Sequence, residues 1–334
     1  MPPILISVLL FALGLVLLIK GGDWFVDGAT GIARRFRIPD LLIGATVVSI
    51  GTTLPEVMVS ATSAVSGHSE IAYGNALGSI ICNTALIAAI TVAVRPAAVE
   101  RAALKKPVIF FFAAFAFYAA VSYISGYFDW WVGVLLLLGF VAYMIVLVLE
   151  AKRTLSDGIP DEGVVDEGKD QDPLWKDILL LVLGAAFIAF GADLLVDHGT
   201  VIAREIGVPE AVIALTFVAL GTSLPELVTA ITSLAKGHGS LSLGNIIGAN
   251  LFNLVLVSGV SITLSPFAIP SGMTLFGINS SLILDIPVAL CVMAILVLPA
   301  LVKGKLARWQ GISLLCIYAA FYALQFCLPM WQGV

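Results

Sequence analysis

The chain has 334 residues, of which 60% are hydrophobic and only 12% charged, with a formal net charge of −5. That apolar share lies far above that of a soluble domain and excludes one. The apolar runs are continuous and lack period-two alternation, which excludes a β-barrel.

A helix needs roughly 20 apolar residues to cross a bilayer core of about 30 Å. Runs near that length fall at 3–33, 40–65, 71–94, 107–125, 131–149, 175–203, 208–235, 241–264, 284–302 and 310–328. The start "MPPILISVLL" has no basic region before its apolar stretch and reads as an uncleaved first helix. Cys82, Cys291, Cys316 and Cys327 lie in apolar runs without ligand-like spacing and read as small packing residues.

Basic residues set the expected orientation. The connections after the first, third, fifth, seventh and ninth runs carry 15 Lys and Arg, whereas the opposite side carries only Arg204. The lysine- and arginine-rich connections are therefore expected in the cytoplasm and both termini outside. Trp130, Trp131, Trp175, Trp309 and Trp331 stand at run ends, where interfacial aromatics belong.

The sequence repeats itself with a shift of 170. Residues 21–83 align without a gap on 191–253, and 25 of the 63 positions are identical. The identities include Asp, Pro, Glu, Gly, His and Asn, so they exceed the chance likeness of two apolar segments. Five runs per copy is an odd number, so the second copy enters the membrane from the other side, as in many secondary transporters. The expectation is an all-α polytopic membrane protein: ten transmembrane helices in two inverted-topology repeats of five, at 1–151 and 175–334. The acidic segment 152–174 between them lacks calcium-loop spacing and reads as a solvated cytoplasmic tether.

Two matched stretches, "GTTLPE" at 51–56 and "GTSLPE" at 221–226, place a proline and a glutamate inside apolar runs. Ser49, Thr52, Thr53, Glu56, Ser60 and Ser63 share one helix face. Ala219, Thr222, Ser223, Glu226 and Ser233 are their counterparts, and the third and eighth runs add Asn75, Ser79 and Asn83, and Asn245 and Asn253. A polar stripe on an apolar helix must face the bundle interior or a water-filled path. Pro55 and Pro225 lack an N–H, so they are expected to open the turn and free the carbonyls of Gly51 and Gly221. Hydroxyls, amides, carbonyls and one carboxylate per repeat are hard oxygen donors suited to Na⁺, Ca²⁺ and Mg²⁺. A lone Ser in such a stripe also serves as helix-to-helix glue. Two carboxylates brought together would be neutralised by one Ca²⁺ or two Na⁺, which suggests competition for shared ligands.

At these residues the chain resembles the calcium/cation antiporter superfamily, and most closely its prokaryotic sodium/calcium exchanger branch. The carriers are "GTTLPE" with "GNALGSIICN" and "GTSLPE" with "GNIIGANLFN", which look like that family's two α-repeats. The resemblance implies that Glu56 and Glu226 are shared carboxylates and that Thr52 and Thr222 bind through backbone and side-chain oxygens. It further implies that Thr53 and Ser223 supply oxygens mainly to Na⁺, that Ser49 and Ala219 offer a carbonyl, and that Ser79, Asn83 and Asn253 complete the shell. Departures fall at Gly248-Ala249-Asn250, where the family has Gly-Ser-Asn, and at Gly78-Ser79-Ile80, which resembles the proton/calcium branch. Some relatives carry Asp where Asn253 stands.

The function implied is exchange of Na⁺ for Ca²⁺ across a prokaryotic cytoplasmic membrane, by alternating access in which the first and sixth spans slide together. A H⁺/Ca²⁺ exchanger on the same scaffold is the alternative. A channel fits less well, because strong midplane binding slows conduction. A hydrolase would need a paired His, and His68, His198 and His238 fall at run ends away from the stripe. Ca²⁺ and Na⁺ are expected as transported substrates, with the lipid bilayer as surroundings. No organic cofactor, nucleic acid or obligatory protein partner is expected, and the chain should act as a monomer.

Overall fold

The computed structural model describes residues 3–36, 40–96, 98–156, 173–205, 223–270, 274–275 and 278–332. Its helices are α1 (Pro3–Arg35), α2 (Asp40–Ile43), α3 (Ser49–Val65), α4 (Ser69–Cys82), α5 (Ala89–Val94), α6 (Arg101–Ile124), α7 (Trp130–Ser156), α8 (Leu174–Glu205), α9 (Leu224–Ala235), α10 (Gly239–Phe252), α11 (Ser258–Leu264), α12 (Ile286–Lys303) and α13 (Arg308–Gln332). Wider π-helical turns at Gly44–Val48, Asn83–Ala88, Asn253–Val257 and Ser281–Asp285 join or open some of them. Among the described residues, eight stretches are long and apolar enough to cross a membrane. The predicted run 208–235 is described only from residue 223 onward, and most of the predicted tether, 157–172, lies outside the described residues. Two antiparallel ladders of two residues each, Tyr127–Phe128 with Phe267–Ala268 and Thr274–Leu275 with Ile278–Asn279, interrupt the otherwise helical chain.

The chain divides into two compact units, Met1–Thr52 with Leu149–Asn245 and Thr53–Val148 with Ile246–Val334. Each draws residues from both sequence repeats.

The first unit is built on the antiparallel pair α1 and α8. At 33 residues α1 is about 50 Å long, well beyond the bilayer core. Its glycines recur every seven residues, and those of α8 answer them. A Cβ on Gly184 would lie 2.5 Å from the Phe25 nitrogen and 2.8 Å from the Gly21 carbonyl oxygen. A Cβ on Gly191 would lie 2.9 Å from the Gly14 oxygen, and one on Gly28 2.5 Å from the Asp177 oxygen. The backbones therefore touch at three successive steps of seven, as small residues allow between membrane helices. The same register brings Ser7 within 3.4 Å of the His198 ring at one end. Near the other end Arg35 meets Asp177 at 3.9 Å. Phe25, Val26, Ala29, Ile43, Val48, Ile188 and Leu241 form this unit's core. Lys236, just past α9, reaches the Asp27 carboxylate at 2.7 Å and the Asp23 carbonyl at 3.0 Å.

In the second unit Tyr118, Phe128 and Phe267 pack ring against ring in sequence, as do Phe140, Phe252 and Tyr143, mostly edge to face. Gln310 of α13 ties that helix to α12: its amide nitrogen donates to the Ile295 and Leu296 carbonyls at 2.8 and 2.9 Å, and its oxygen accepts from the Ala307 N–H at 2.8 Å.

The turns that follow the twin Pro-Glu helices are alike. Gly67 and Gly237 take φ of 82° and 88°, a left-handed conformation that favours glycine. The next residue then closes each turn with the same bond: the His68 and His238 N–H groups donate to Ser63 and Ser233 carbonyls, both at 2.8 Å.

Candidate cation site

In the second unit α3 carries Thr53, Glu56 and Ser60, all fully buried. α4 lies alongside, and Asn75 ties the two helices: its amide nitrogen donates to the Ser60 hydroxyl at 2.8 Å and to the Glu56 backbone carbonyl at 3.3 Å. The turn bearing Glu56 is thus pinned by a side chain from the next helix, and Ser79 is buried one turn further along α4.

Asn83 is the first residue of one π-helical turn and Asn253 the first residue of another. They are counterparts under the shift of 170. Both side chains are fully buried, and among the described residues neither amide nitrogen nor oxygen of either has a hydrogen-bond partner. The Thr53 hydroxyl is in the same condition. A buried amide left without a partner costs on the order of 1–3 kcal/mol. Three of these five atoms are oxygens with lone pairs open to a cation, and two are amide nitrogens that a cation does not satisfy. Widened turns of this kind recur at functional sites.

The first unit holds the remaining described candidates. The Ser49 hydroxyl lies 2.7 Å from the Gly44 carbonyl, five residues back across the π turn, and 2.9 Å from the Asn245 carbonyl. Its proton is therefore taken up within the protein. The Thr52 hydroxyl donates to the Asn245 side-chain oxygen at 3.3 Å. A hydroxyl whose proton is placed in this way has its lone pairs free for a cation. Ser223 precedes α9, Pro225 occupies its first turn, and Glu226 follows in that turn, where a carboxylate is favoured by the helix dipole. Glu226, Thr229 and Ser233 are fully buried and Ser223 nearly so. The hydroxyls of Ser223, Thr229 and Ser233 have no hydrogen-bond partner among the described residues. Ala219, Gly221 and Thr222 lie outside the described residues.

One expectation is corrected. Helix α3 runs on through Pro55 without interruption. The widening lies upstream, at Gly44–Val48. There the helix passes close to α10, and a Cβ on Gly44 would meet the Leu241 oxygen and lie 2.9 Å from the Asn245 nitrogen. Pro55 still leaves the Gly51 carbonyl without its usual donor, because it has no N–H to give. Thr229 does not stand out in the sequence, and Asn245 belongs to the polar stripe there without being among the implied ligands. Both are polar residues buried on apolar helices, and Asn245 sits in the repeated Gly-Asn pair.

The donors in both units are oxygens, with a single carboxylate in each twin motif, a set that suits hard cations. A model of the sodium/calcium exchanger protein family matches residues 6–149 and 176–327. The chain is 34% identical over 332 residues to the putative antiporter CaxA of Alkalimonas amylolytica, covering 97% of this chain and 99% of that one. It is 31% identical to the sodium/calcium exchanger MaX1 of Methanosarcina acetivorans, again over 97% and 99% of the two chains. Among solved structures it resembles the sodium-calcium exchanger NCX_Mj soaked with Na⁺ and Sr²⁺, with a TM-score of 0.77, 31% identity, and 96% and 99% of the two chains covered. Matched along nearly its whole length by sequence and by fold, the chain is a member of the sodium/calcium exchanger family.

Proposed function

We propose that the protein is a secondary antiporter that exchanges Na⁺ for Ca²⁺ across a prokaryotic cytoplasmic membrane by alternating access. Its proposed ligands are Glu56, Glu226, Thr52, Thr222, Thr53, Ser223, Ser79, Asn83 and Asn253, together with the carbonyls of Ser49 and Ala219. The observation that carries this reading is the duplicated carboxylate. Glu56 and Glu226 are both fully buried on largely apolar helices, each in a Pro-Glu motif and each preceded by hydroxyl residues. A carboxylate inside a membrane helix costs on the order of 3 kcal/mol, so its retention in both copies speaks for a function. Ca²⁺ answers both charges at once, and two Na⁺ do the same, which couples the two ions through shared ligands.

The ten-helix inverted topology, the external termini, the cytoplasmic 152–174 segment and action as a monomer belong to the same proposal. So does a joint movement of the first and sixth spans, which the close glycine contacts between α1 and α8 favour. Proteoliposomes test the function directly. Radiolabelled calcium uptake should follow an outward Na⁺ gradient. Uptake that follows a pH gradient and ignores Na⁺ would make the protein a H⁺/Ca²⁺ exchanger instead, the direction in which Gly78-Ser79-Ile80 leans.

A further inference from the structure

Close in the chain to Asn83 and Asn253 lies a second polar cluster to which the ligand set gives no role. The Asn250 amide nitrogen donates to the Thr84 hydroxyl oxygen at 2.6 Å and to the Met293 sulfur at 3.1 Å. The Thr84 hydroxyl in turn donates to the same sulfur at 3.4 Å. Asn250, Thr84 and Met293 are all fully buried, and the Asn250 side-chain oxygen has no hydrogen-bond partner among the described residues.

The cluster breaks the repeat. Under the shift of 170 the counterpart of Asn250 is Ile80, and that of Thr84 is Leu254. Both counterparts are buried apolar residues. The polar pair therefore occurs once where the repeat would allow two apolar pairs, and apolar side chains fill such a place at lower cost than a half-satisfied amide. Its position suggests why it is there. Thr84 directly follows Asn83 inside the π turn, and Asn250 precedes Asn253 by less than one helical turn. The bond thus joins the Asn83 π turn to the last turn of α10, which leads directly into the Asn253 π turn. A π turn that relaxes to α geometry re-registers the residues after it and re-aims the side chain at its start.

We infer that Asn250 is a positioning residue: with Thr84 it holds the two π turns in register so that Asn83 and Asn253 present their amide oxygens to Na⁺. The inference rests on the sodium/calcium reading. Both ions accept amide oxygens, but doubly charged Ca²⁺ gains more from the two carboxylates than Na⁺ does, so Na⁺ depends more on the neutral donors. Loss of the bond therefore weakens Na⁺ binding and largely spares Ca²⁺.

The test uses the full chain in proteoliposomes and reads two quantities: the half-saturating Na⁺ for Na⁺-dependent calcium efflux, and the half-saturating Ca²⁺ for calcium/calcium exchange without Na⁺. The double variant Asn250→Leu with Thr84→Val installs an apolar pair like that of the other repeat, so it keeps the packing while removing the bond. It should raise the half-saturating Na⁺ about 10- to 100-fold, the usual effect of losing an outer-shell partner, with the Ca²⁺ value within about twofold. Thr84→Ser keeps the hydroxyl and should match the unaltered protein. Should the double variant fail to fold, Thr84→Val alone is read against the same two quantities. Unchanged Na⁺ dependence, or a parallel loss for both ions, would overturn the positioning role. An unaltered protein that moves calcium without any Na⁺ dependence would refute the sodium reading itself, and the inference with it.

Discussion

Asn83 and Asn253 stand 170 residues apart, occupy the same position in their repeats, and each begins a π-helical turn with its amide buried and unbonded among the described residues. Two helices that share this irregularity at equivalent positions, each with an unbonded amide at its start, share something that favours it. If that something is a cation, Asn83→Leu, which fills the space and removes the donor atoms, should raise the half-saturating Na⁺ by about tenfold or more. It should also make the purified protein more stable to heat in the absence of ions, because two unmet polar atoms are gone. Thermal unfolding and Na⁺ titration of the same preparation report both.

The bond from Asn75 to Ser60 and to the Glu56 carbonyl makes a second expectation. Asn75→Leu frees the turn that carries Glu56 without touching the carboxylate. Calcium exchange should fall about 10- to 100-fold through a weaker apparent Ca²⁺ affinity. Ser60→Ala, which removes one of the two acceptors, should show a smaller loss in the same direction.

The α1 and α8 interface yields a contrast in stability. Gly184→Ala puts a methyl carbon 2.5 Å from the Phe25 nitrogen, so it must force the helices apart, at a cost of about 1–3 kcal/mol. Gly139→Ala in α7 meets nothing within 4 Å and should stabilise by about 0.5–1 kcal/mol through helix propensity. Thermal unfolding in detergent should therefore move in opposite directions for the two variants.

How far the sequence anticipated this architecture differs from feature to feature. The apolar runs found nearly every described helix, because a membrane span must be long and apolar whatever it packs against. The repeat and the polar stripe were readable because Asp, Glu, Asn and Pro are costly there and stand out. The π turns at Asn83 and Asn253 were not readable, since a widened turn depends on which neighbours press on the helix. Pro55 drew attention to the wrong turn: its missing N–H is a local fact, whereas the widening at Gly44–Val48 comes where α10 approaches. The Asn250 and Thr84 bond needs two segments 166 residues apart to meet. The heptad spacing of Gly14, Gly21 and Gly28 against Gly184 and Gly191 was visible in the sequence, but its antiparallel register required the structure.

Orientation has its own check. With native cysteines replaced, Gly163→Cys in the acidic segment should react with a membrane-impermeant maleimide in inside-out vesicles and not in intact cells.

The most direct test of the shared-carboxylate account is equilibrium binding of radiolabelled calcium to the purified protein, with Na⁺ as competitor. The account predicts that Na⁺ displaces calcium, and that Glu56→Gln and Glu226→Gln each abolish calcium binding while the protein remains monodisperse. Calcium binding that survives either substitution at full affinity, or that Na⁺ fails to displace, would contradict it.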